Sequence, residues 1–298
     1  MNSIISAQSR IQFIGQNKQP TYNRFLKKFE SQLTQWYPFG QETTFRLDHG
    51  TNYFAFFNRM GKVYYYVLYH ITNSLIAGSI CFVLRKINDQ NCAFYLCDLK
   101  FDISIRKSGM LKHLFLRSIP FCLIKTTKFY AISMNSQLEE NKILQMAKHM
   151  GQQNFGKIKV NIQQACILNI YSFTYDQMCQ FEKYITVAIQ NVNTTQKIRY
   201  LSLKNIKDII IKKNNEQEEM KMPLLHLHYF ISEYDDLSIG SYYTKPQKNH
   251  THMFCTVQGG VLARFLQSKH NILPDSNATV MHHNLPKTDW EFVQTCDI

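Results

Sequence analysis

The sequence lacks the segments that place a protein in or across a membrane. Its first ten residues, MNSIISAQSR, have neither a charged start nor a long apolar stretch, so we expect no secretory signal. No uninterrupted apolar run approaches the ~18 residues that a transmembrane helix needs. Both absences favour a cytoplasmic protein without a membrane partner.

Closely paired cysteines are missing as well. The eight cysteines are scattered along the chain and form no Cys-x-x-Cys motif. Several lie inside apolar runs, as Cys81 does in GSICFVL and Cys166 in ACILNIY. We therefore expect reduced, buried thiols in a reducing compartment, and no disulfide framework.

Acidic residues are few compared with basic ones. The chain has 21 Asp and Glu against 34 Lys and Arg, which gives a formal net charge of +13. Such a surface attracts anions, which include nucleic acid, acidic lipid and phosphorylated cofactors. With 45% hydrophobic and 18% charged residues among 298, the chain can form a globular core as one large domain or two small ones.

The hydrophobic pattern of the first half predicts an α/β or α+β fold. An amphipathic helix is expected over residues 21–37, with Phe25 and Leu26 on its apolar face. Strands rich in β-branched and aromatic residues follow as a hairpin, and further strands alternate with two helices. Pro120 should end or kink the first of these helices, and Gly151 should close the second. This order predicts helices flanking a mixed, mostly antiparallel sheet.

The pattern becomes weaker beyond residue 174. We predict two units, residues 1–173 and a smaller C-terminal α/β unit of residues 174–298, which could be a degenerate copy of the first although no repeat is convincing. In the second unit, IKDIIIKKNNEQEEMKM is expected to be a helix or a charged linker. Strands are expected at LLHLHYFI, HMFCTV and ATVMHHN.

The stretch YLCDLKFDISIRKSGMLKHLF, residues 95–115, joins a strand to a helix through a short basic link. A helix start has unpaired backbone N–H groups and a partial positive charge, and Gly109 lets the backbone approach an anion closely. With Arg106 and Lys107 beside it, the link favours a pyrophosphate or a similar anion. An ordinary turn with solvated basic residues is the alternative, because short glycine motifs are weak signals.

The same segment resembles the acetyl-CoA-binding motif of the GNAT superfamily of N-acetyltransferases. DLKF (Asp98–Phe101) corresponds to the end of a strand that in this family reads like Asp-Leu-x-Val. RKSGML (Arg106–Leu111) corresponds to the family's Arg/Gln-x-x-Gly-x-Gly/Ala, which opens a helix. IAGSI resembles part of the family's third strand. The resemblance covers roughly residues 20–173, just over half of the chain.

The resemblance implies a GNAT-like fold and an N-acetyltransferase, in which an amine attacks the thioester of acetyl-CoA directly. The pyrophosphate would lie on the amides of the link, and the pantetheine arm would pair with the open edge of the preceding strand. Asp98 is the candidate for the base that takes the amine proton, and a salt-bridged or solvent-facing strand residue is an equal alternative. The expected cofactor contacts are Leu99, Phe101, Arg106, Lys107, Ser108, Gly109, Met110, Leu111 and Asn135.

Two positions depart from the family pattern. Leu111 stands where glycine or alanine is usual, and its side chain could crowd the phosphates or point into the core. If Gly151 is the glycine of the family's later helix, Ala147 stands where a tyrosine often protonates the leaving thiolate. These departures support an alternative reading, a GNAT-fold module that has lost catalysis and binds a ligand or partner.

Two weaker signals point elsewhere. Net charge and aromatic runs such as VYYYVLY would suit a nucleic-acid-binding protein, although such runs more often fill a core. Six of the eleven histidines form close pairs, His226 with His228, His250 with His252, and His282 with His283. Without cysteine or acidic ligands nearby we expect surface histidines and no metal site. The acceptor is not specified, but the excess of cations argues against a strongly basic amine such as a polyamine.

Overall fold

The structure, a computed structural model, describes most of the chain. The described residues are 9–33, 36–39, 43–70, 75–88, 91–105, 110–135, 141–152, 160–181, 201–203, 207–213, 218–228, 243–244, 247–286, 288, 290, 292–293 and 295–298. The strands are β1 (Ser9–Ile14), β2 (Tyr37–Phe39), β3 (Thr43–Asp48), β4 (Lys62–His70), β5 (Ile76–Asn88), β6 (Asn91–Phe101), β7 (Phe129–Met134), β8 (Gln163–Phe173), β9 (Leu201–Leu203), β10 (Asp208–Lys213), β11 (Met220–Met222), β12 (Leu224–His228), β13 (Tyr243–Thr244), β14 (Thr251–Val257) and β15 (Ser276–His283). The α-helices are α1 (Gln19–Gln32), α2 (Ala55–Met60), α3 (Met110–Leu123), α4 (Lys142–Gln152) and α5 (Val261–His270).

Most strands join one large sheet. Eleven strands follow the order β1-β4-β5-β6-β7-β15-β8-β14-β12-β9-β13, and β11-β10-β3-β2 form a second, four-stranded sheet. The pairs β6–β7 and β12–β14 are parallel, and the other described pairs are antiparallel. The predicted fold class, a mixed and mostly antiparallel sheet flanked by helices, is confirmed.

The predicted hairpin is formed by β4 and β5. Strand β4 pairs with β1 on one edge and with β5 on the other. Both of its faces are buried, because a core cluster packs on each side of the sheet at this strand. Tyr65 and Val67 belong to the core cluster on one face, and Tyr64 and Tyr66 belong to the cluster on the other. This explains why β4 reads as a continuous apolar and aromatic run instead of an alternating one.

Strand β6, helix α3 and strand β7 form a parallel crossover. Helix α3 continues for three residues past Pro120 to Leu123, so of the two predicted effects of this proline, an end or a kink, the end of the helix is excluded. A proline removes one helical hydrogen bond, but Cys122 in the last turn is fully buried in the core cluster that contains residues of β4, β5 and β6. Gly151 likewise lies inside α4, which extends to Gln152.

Helix α1 is shorter than the sequence predicts. It begins at Gln19, has Pro20 in its first turn and ends at Gln32. Leu26 is fully buried, whereas Phe25 is 56% exposed. Consecutive helical residues point about 100° apart, so the packing of Leu26 against the sheet turns Phe25 to the surface. None of the described helices is both long and apolar enough to cross a bilayer.

The sheets continue across the predicted boundary at residue 174. Strand β15 lies between β7 and β8 and pairs with both, so a strand near the end of the chain completes the arrangement begun by the first half. Strand β10 pairs with β3. The expectation of a helix or linker around β10 is wrong, since its β-branched run pairs with β3 and buries Ile209. The expected strands at β12, β14 and β15 are confirmed.

A second long-range tie is a buried ion cluster near the C-terminal end, here called the terminal cluster (Arg59, Arg85 and Asp297). Arg59 Nη2 lies 2.8 Å from Asp297 Oδ1, and Arg85 Nη1 lies 3.0 Å from Oδ2. The Tyr95 hydroxyl donates to the backbone oxygen of Asp297 at 2.5 Å. These contacts fix the 3-10 turn Thr295–Asp297 against α2, β5 and β6.

Candidate functional site

The parallel strands β6 and β7 separate after a short paired segment. Their pairing covers Phe94 with Phe129, Tyr95 with Tyr130 and Leu96 with Ala131. Both strands continue beyond it, β6 to Phe101 and β7 to Met134. Within the described residues, the pairing of β6 with β7 therefore ends at Leu96.

A bulge marks the point where β6 leaves β7. In the pairing with β5, Ser79 faces Lys100 and Cys81 faces Cys97, so β6 has one residue more than its partner. Asp98 lies in the bulge with a φ of 52°. A bulge leaves one residue outside the hydrogen-bonded ladder and redirects its backbone and side chain.

Gly78 of β5 allows the close packing opposite this bulge. A Cβ atom at that position would lie 2.7 Å from Cδ1 of Phe101 and 3.1 Å from the backbone oxygen of Lys100. This is the glycine of the IAGSI segment, and its role is to let the end of β6 approach β5.

A cavity of about 280 Å³ opens at the separation of β6 and β7. It is here called the β6–β7 cavity. Its walls are β6 from Tyr95 to Lys100, β7 from Phe129 to Met134, and parts of α4, β3 and α2. The aromatic and aliphatic residues that line the part near β3 and α2 are Tyr37, Phe45, Leu47, Phe56 and Phe57.

Four buried polar residues meet at one wall of this cavity, and they are here called the cavity cluster (Glu30, His49, Asp98 and Lys100). The ammonium of Lys100 lies 2.6 Å from Glu30 Oε1 and 2.5 Å from Asp98 Oδ1. Burial lowers the pKa of Lys100, but the charges of Asp98 and Glu30 outweigh it and raise that pKa above its usual range. Lys100 is therefore a fixed cation between two carboxylates.

Two tyrosines complete the surroundings of Asp98. Tyr53 donates its hydroxyl hydrogen to Asp98 Oδ2 at 2.7 Å, and Tyr65 donates to the same oxygen. Burial and the charge of Asp98 raise the pKa of both phenols well above their usual value, so both stay protonated donors. The predicted base thus lies at the cavity wall, with its carboxylate held by Lys100 and two phenols.

His49 was not identified from the sequence. It follows β3, and its Nδ1 lies 2.6 Å from Glu30 Oε1, although Glu30 is 19 residues earlier in the chain. Its ring packs against Tyr53, Phe56 and Phe57, with centroid distances of 4.6, 5.5 and 5.3 Å. No spacing rule connects His49 with Glu30, because only the packing of α1 beside the end of β3 brings them together.

Three members of the cavity cluster have side chains of the types that bind metal ions. One atom each of Glu30, His49 and Asp98 lie within 4.8 Å of one another, close enough to share an ion. The ammonium of Lys100 lies between the two carboxylates and already supplies the positive charge that a cation would bring. The donor set therefore fits an internal ion pair better than a resident metal.

The predicted cofactor contacts differ in what the structure describes of them. Leu99 lines the cavity, whereas the side chain of Phe101 packs in the core with residues of β1 and β4. Arg106, Lys107, Ser108 and Gly109 lie outside the described residues. Met110 and Leu111 begin α3, but their side chains are also outside the description, so the effect of Leu111 on the phosphates stays a prediction.

Asn135 has a structural role at the end of β7. Its Nδ2 donates to Asn277 Oδ1 at 2.5 Å, and its Oδ1 accepts from Asn141 at 2.7 Å and from Thr279 at 2.8 Å. Asn141 in turn accepts from the backbone N–H of Leu144 in the first turn of α4. The side chain of Asn135 therefore ties β15 to the start of α4, and its contact with a cofactor stays a prediction.

Ala147 faces the cavity from α4. This is the position where the resemblance places a proton donor for the leaving thiolate, and a methyl group cannot serve as one.

The paired histidines differ from the prediction of surface positions, because His226, His252, His282 and His283 are buried. Each of these four histidines has a hydrogen bond to another part of the protein.

Comparison with known proteins gives matches among solved structures. No family model matches the chain, and no curated protein matches it. A Trypanosoma brucei acetyltransferase is 15% identical, covers 50% of this chain and 96% of its own, and has a TM-score of 0.33. An aminoglycoside acetyltransferase from an uncultured soil metagenomic sample is 14% identical over 52% of this chain and 94% of its own, with a TM-score of 0.35. A mutant spermidine N-acetyltransferase from Vibrio cholerae is 10% identical over 54% of this chain and 84% of its own, with a TM-score of 0.33.

These three solved structures are all acetyltransferases, the class that the sequence resemblance names. At such identities and TM-scores, their substrates and activities do not transfer to this chain. What the chain does is therefore inferred from the β6–β7 cavity and its residues.

Proposed function

We propose that this protein is an acetyltransferase that moves an acetyl group from acetyl-CoA to an amine. The observation that supports this most directly is the bulged separation of β6 from β7, which opens a cavity beside the end of β6. The same strand leads into the basic link of residues 106–109 that the sequence analysis associates with a diphosphate.

The three parts of acetyl-CoA, its pyrophosphate, its pantetheine arm and its thioester, each have a matching feature in this arrangement. Its pyrophosphate would bind the backbone amides and cations at the start of α3. Its pantetheine arm, which has alternating amide groups, would pair with the open edge of β6 near Leu99 and Phe101 in the way that an added strand does. The thioester would then reach the bulge at Asp98, where a backbone N–H outside the ladder could polarise its carbonyl.

The acceptor that fits best is an amine on an apolar or aromatic substituent. The lining near β3 and α2 is aromatic and aliphatic, and the one described carboxylate on the lining, Asp98, is already paired with Lys100. A polyamine needs carboxylates left over to pair with its extra charges, whereas a single amine on an apolar group needs only the cavity wall.

Binding of acetyl-CoA tests the cofactor assignment. We expect Lys107→Glu to weaken acetyl-CoA binding by about tenfold or more, since a like charge replaces an attractive one beside the diphosphate. The measurement is isothermal titration calorimetry at low ionic strength. Lys62→Glu, which alters an exposed lysine of β4, is the matched control and should bind as the unmodified protein does.

An amine panel tests the acceptor assignment. With acetyl-CoA present, 2-phenylethylamine and octylamine should release CoA faster than spermidine does, as measured with a thiol reagent. A faster reaction with spermidine would contradict the proposed acceptor class and leave the cofactor assignment standing.

A catalytically silent binding module is the second candidate. Ala147 at the cavity wall favours it, since the expected acid is missing there. Tight binding of acetyl-CoA without acetyl transfer to any amine of the panel would select this candidate. Thiolate release can also proceed without a protein acid, in which case transfer would still be observed.

A further inference from the structure

We propose that His49, held by Glu30, is the base that takes the proton from the acceptor amine. This inference rests on the acetyltransferase activity proposed above and assigns to His49 the role of base for which Asp98 is the candidate from the sequence. His49 lines the β6–β7 cavity, and its ring nitrogen, Glu30 and Asp98 lie within 4.8 Å of one another. It is thus on the same wall as the bulge where the thioester would lie.

The hydrogen bond with Glu30 determines which nitrogen of His49 has the proton. Burial raises the pKa of Glu30, but the charge of Lys100 and the hydrogen bonds from His49 and Lys100 outweigh burial, and the net result is a pKa well below the usual range. Glu30 is therefore an ionised acceptor that cannot donate. The 2.6 Å contact requires Nδ1 of His49 to have the hydrogen, so in the neutral ring the lone pair is on Nε2.

The ring of His49 is held in place by Glu30 and by aromatic packing. The backbone N–H of His49 also donates to Glu30, to Oε2 at 3.3 Å, so the carboxylate holds the residue at two points. Tyr53 and Phe57 pack against the ring. Among the described residues, no group hydrogen-bonds Nε2, although His49 is only 3% exposed. An oriented ring nitrogen of a residue that lines a cavity is what a general base requires.

The neighbouring groups are less suited to this role. Asp98 accepts two phenol hydrogens and is paired with Lys100. Lys100 has a raised pKa and stays charged. Tyr53 and Tyr65 have raised pKa values and remain donors. Within the cavity cluster, the lone pair of Nε2 is therefore the acceptor that a substrate can use without first breaking an ion pair.

The step that follows is an ordinary acyl transfer. The neutral amine attacks the thioester carbonyl carbon, and a C–N bond forms. The nitrogen then gives one proton to Nε2 of His49, the C–S bond breaks, and CoA leaves as a thiolate. The thiolate takes that proton from the imidazolium or through water, so that the products are the acetylated amine and free CoA.

The main test is His49→Gln, assayed with 2-phenylethylamine and acetyl-CoA. Glutamine can still donate a hydrogen bond to Glu30, but it has no basic nitrogen. We expect kcat to fall by about 10²–10⁴-fold, which is the usual worth of a general base, while acetyl-CoA binding by calorimetry changes little. His70→Gln, the same substitution at a histidine of β4 that does not line the cavity, should keep the full rate.

A further readout separates a base from a merely structural residue. Added imidazole should restore part of the rate of His49→Ala and none of the rate lost by an unfolded variant.

Glu30→Gln tests the positioning role of Glu30 without relying on turnover. The glutamine amide can donate to Nδ1, which would move the hydrogen of His49 to Nε2. Long-range ¹H–¹⁵N spectra, assigned through the missing signals of His49→Gln, should show the Nδ1–H form in the unmodified protein and the Nε2–H form in Glu30→Gln. The Nε2–H form in the unmodified protein would overturn the inference.

Failure of this inference can be told apart from failure of the proposed function. If the unmodified protein acetylates the amine and His49→Gln does so at the same rate, the assignment of His49 is wrong and the proposed function stands. If the unmodified folded protein binds no acetyl-CoA and acetylates no amine, the proposed function is wrong and the role of His49 falls with it.

Discussion

The cavity cluster and the terminal cluster are both buried ion networks, yet they differ in what they leave accessible. In the terminal cluster, Arg59 and Arg85 each hold one oxygen of Asp297, which is completely buried. In the cavity cluster, Lys100 is shared by two carboxylates, and His49 lines the cavity. One network joins distant segments, and we propose that the other is arranged for chemistry.

The strongest expected effect on stability is that of Lys100→Met. It leaves Asp98 and Glu30 as buried carboxylates without their cation, and removing one partner of a buried pair costs about 3–5 kcal/mol. Urea unfolding followed by fluorescence measures the loss. Lys221→Met is the control, because Lys221 is half exposed and bridges Asp48 at the surface, where a pair contributes at most about 1 kcal/mol. Equal losses for both variants would contradict the burial argument.

Asp297→Asn tests the terminal cluster in the way that Lys100→Met tests the cavity cluster. It removes the carboxylate charge that Arg59 and Arg85 share, and we expect a loss of about 3 kcal/mol in the free energy of unfolding. Acetyl-CoA affinity and kcat should be unchanged below the unfolding transition, since Asp297 does not line the cavity. A folded Asp297→Asn protein without activity would remove the distinction between a joining network and a chemical one.

The pH dependence of stability should depend on His226, which lies beside the terminal cluster. Burial, followed by the charge of Lys207, lowers the pKa of His226 from 6.5 to about 3. As the pH falls, the unfolded chain takes up a proton on His226 before the folded protein does. The contribution of neutral His226 to the free energy of unfolding is therefore fully present above pH 6.5 and is lost as the pH falls toward 3. The slope is up to about 1.4 kcal/mol per pH unit.

The measurement is urea unfolding of the unmodified protein and of His226→Gln at pH 7 and pH 5. We expect the unmodified protein to lose about 2 kcal/mol more than the variant over this interval. An equal loss in both proteins would show that His226 does not control this window. His70→Gln, with an imidazole removed elsewhere, should behave as the unmodified protein does.

The smallest expected effect is that of Gly78→Ala. Gly78 lies against the end of β6, the strand that supplies Asp98 and Lys100 to the cavity cluster. The new methyl group would lie 2.7 Å from the ring of Phe101, and such crowding costs about 1–3 kcal/mol. The end of β6 should shift, and the KM for acetyl-CoA should rise. Gly15→Ala is the control, since the nearest atom there is the end of the flexible Asn17 side chain, at 3.1 Å. An unchanged KM in Gly78→Ala would show that the edge of β6 does not contact the cofactor.

Much of the fold could be predicted because local patterns agree with tertiary packing. The hairpin of β4 and β5, the crossover β6–α3–β7 and the strand character of β12, β14 and β15 follow from apolar runs and their lengths. Strand β10 was missed because its triple isoleucine is flanked by charges that also suit a linker, and only pairing with β3 shows which faces are buried. The insertion of β15 between β7 and β8 has no local signal at all.

The candidate site could be predicted only in part. Asp98 and Leu99 were found because they belong to one continuous motif beside the basic link, and both lie at the cavity wall. His49 and Glu30 were missed because each looks ordinary in its own segment. The sequence also could not show that Asp98 is held by Lys100, since two residues with alternate spacing on a strand do not by themselves indicate an ion pair.

By itself, the sequence determined the mixed sheet with flanking helices and the strand, basic link and helix that resemble an acetyl-CoA site. These features depend on residues close together in the chain, where side-chain periodicity and helix starts have local physical rules. Only the tertiary structure decided the cavity cluster, because α1, the end of β3 and the bulge of β6 supply its members from distant positions. The hydrogen bonding and orientation of His49 exist only when these three segments are packed together.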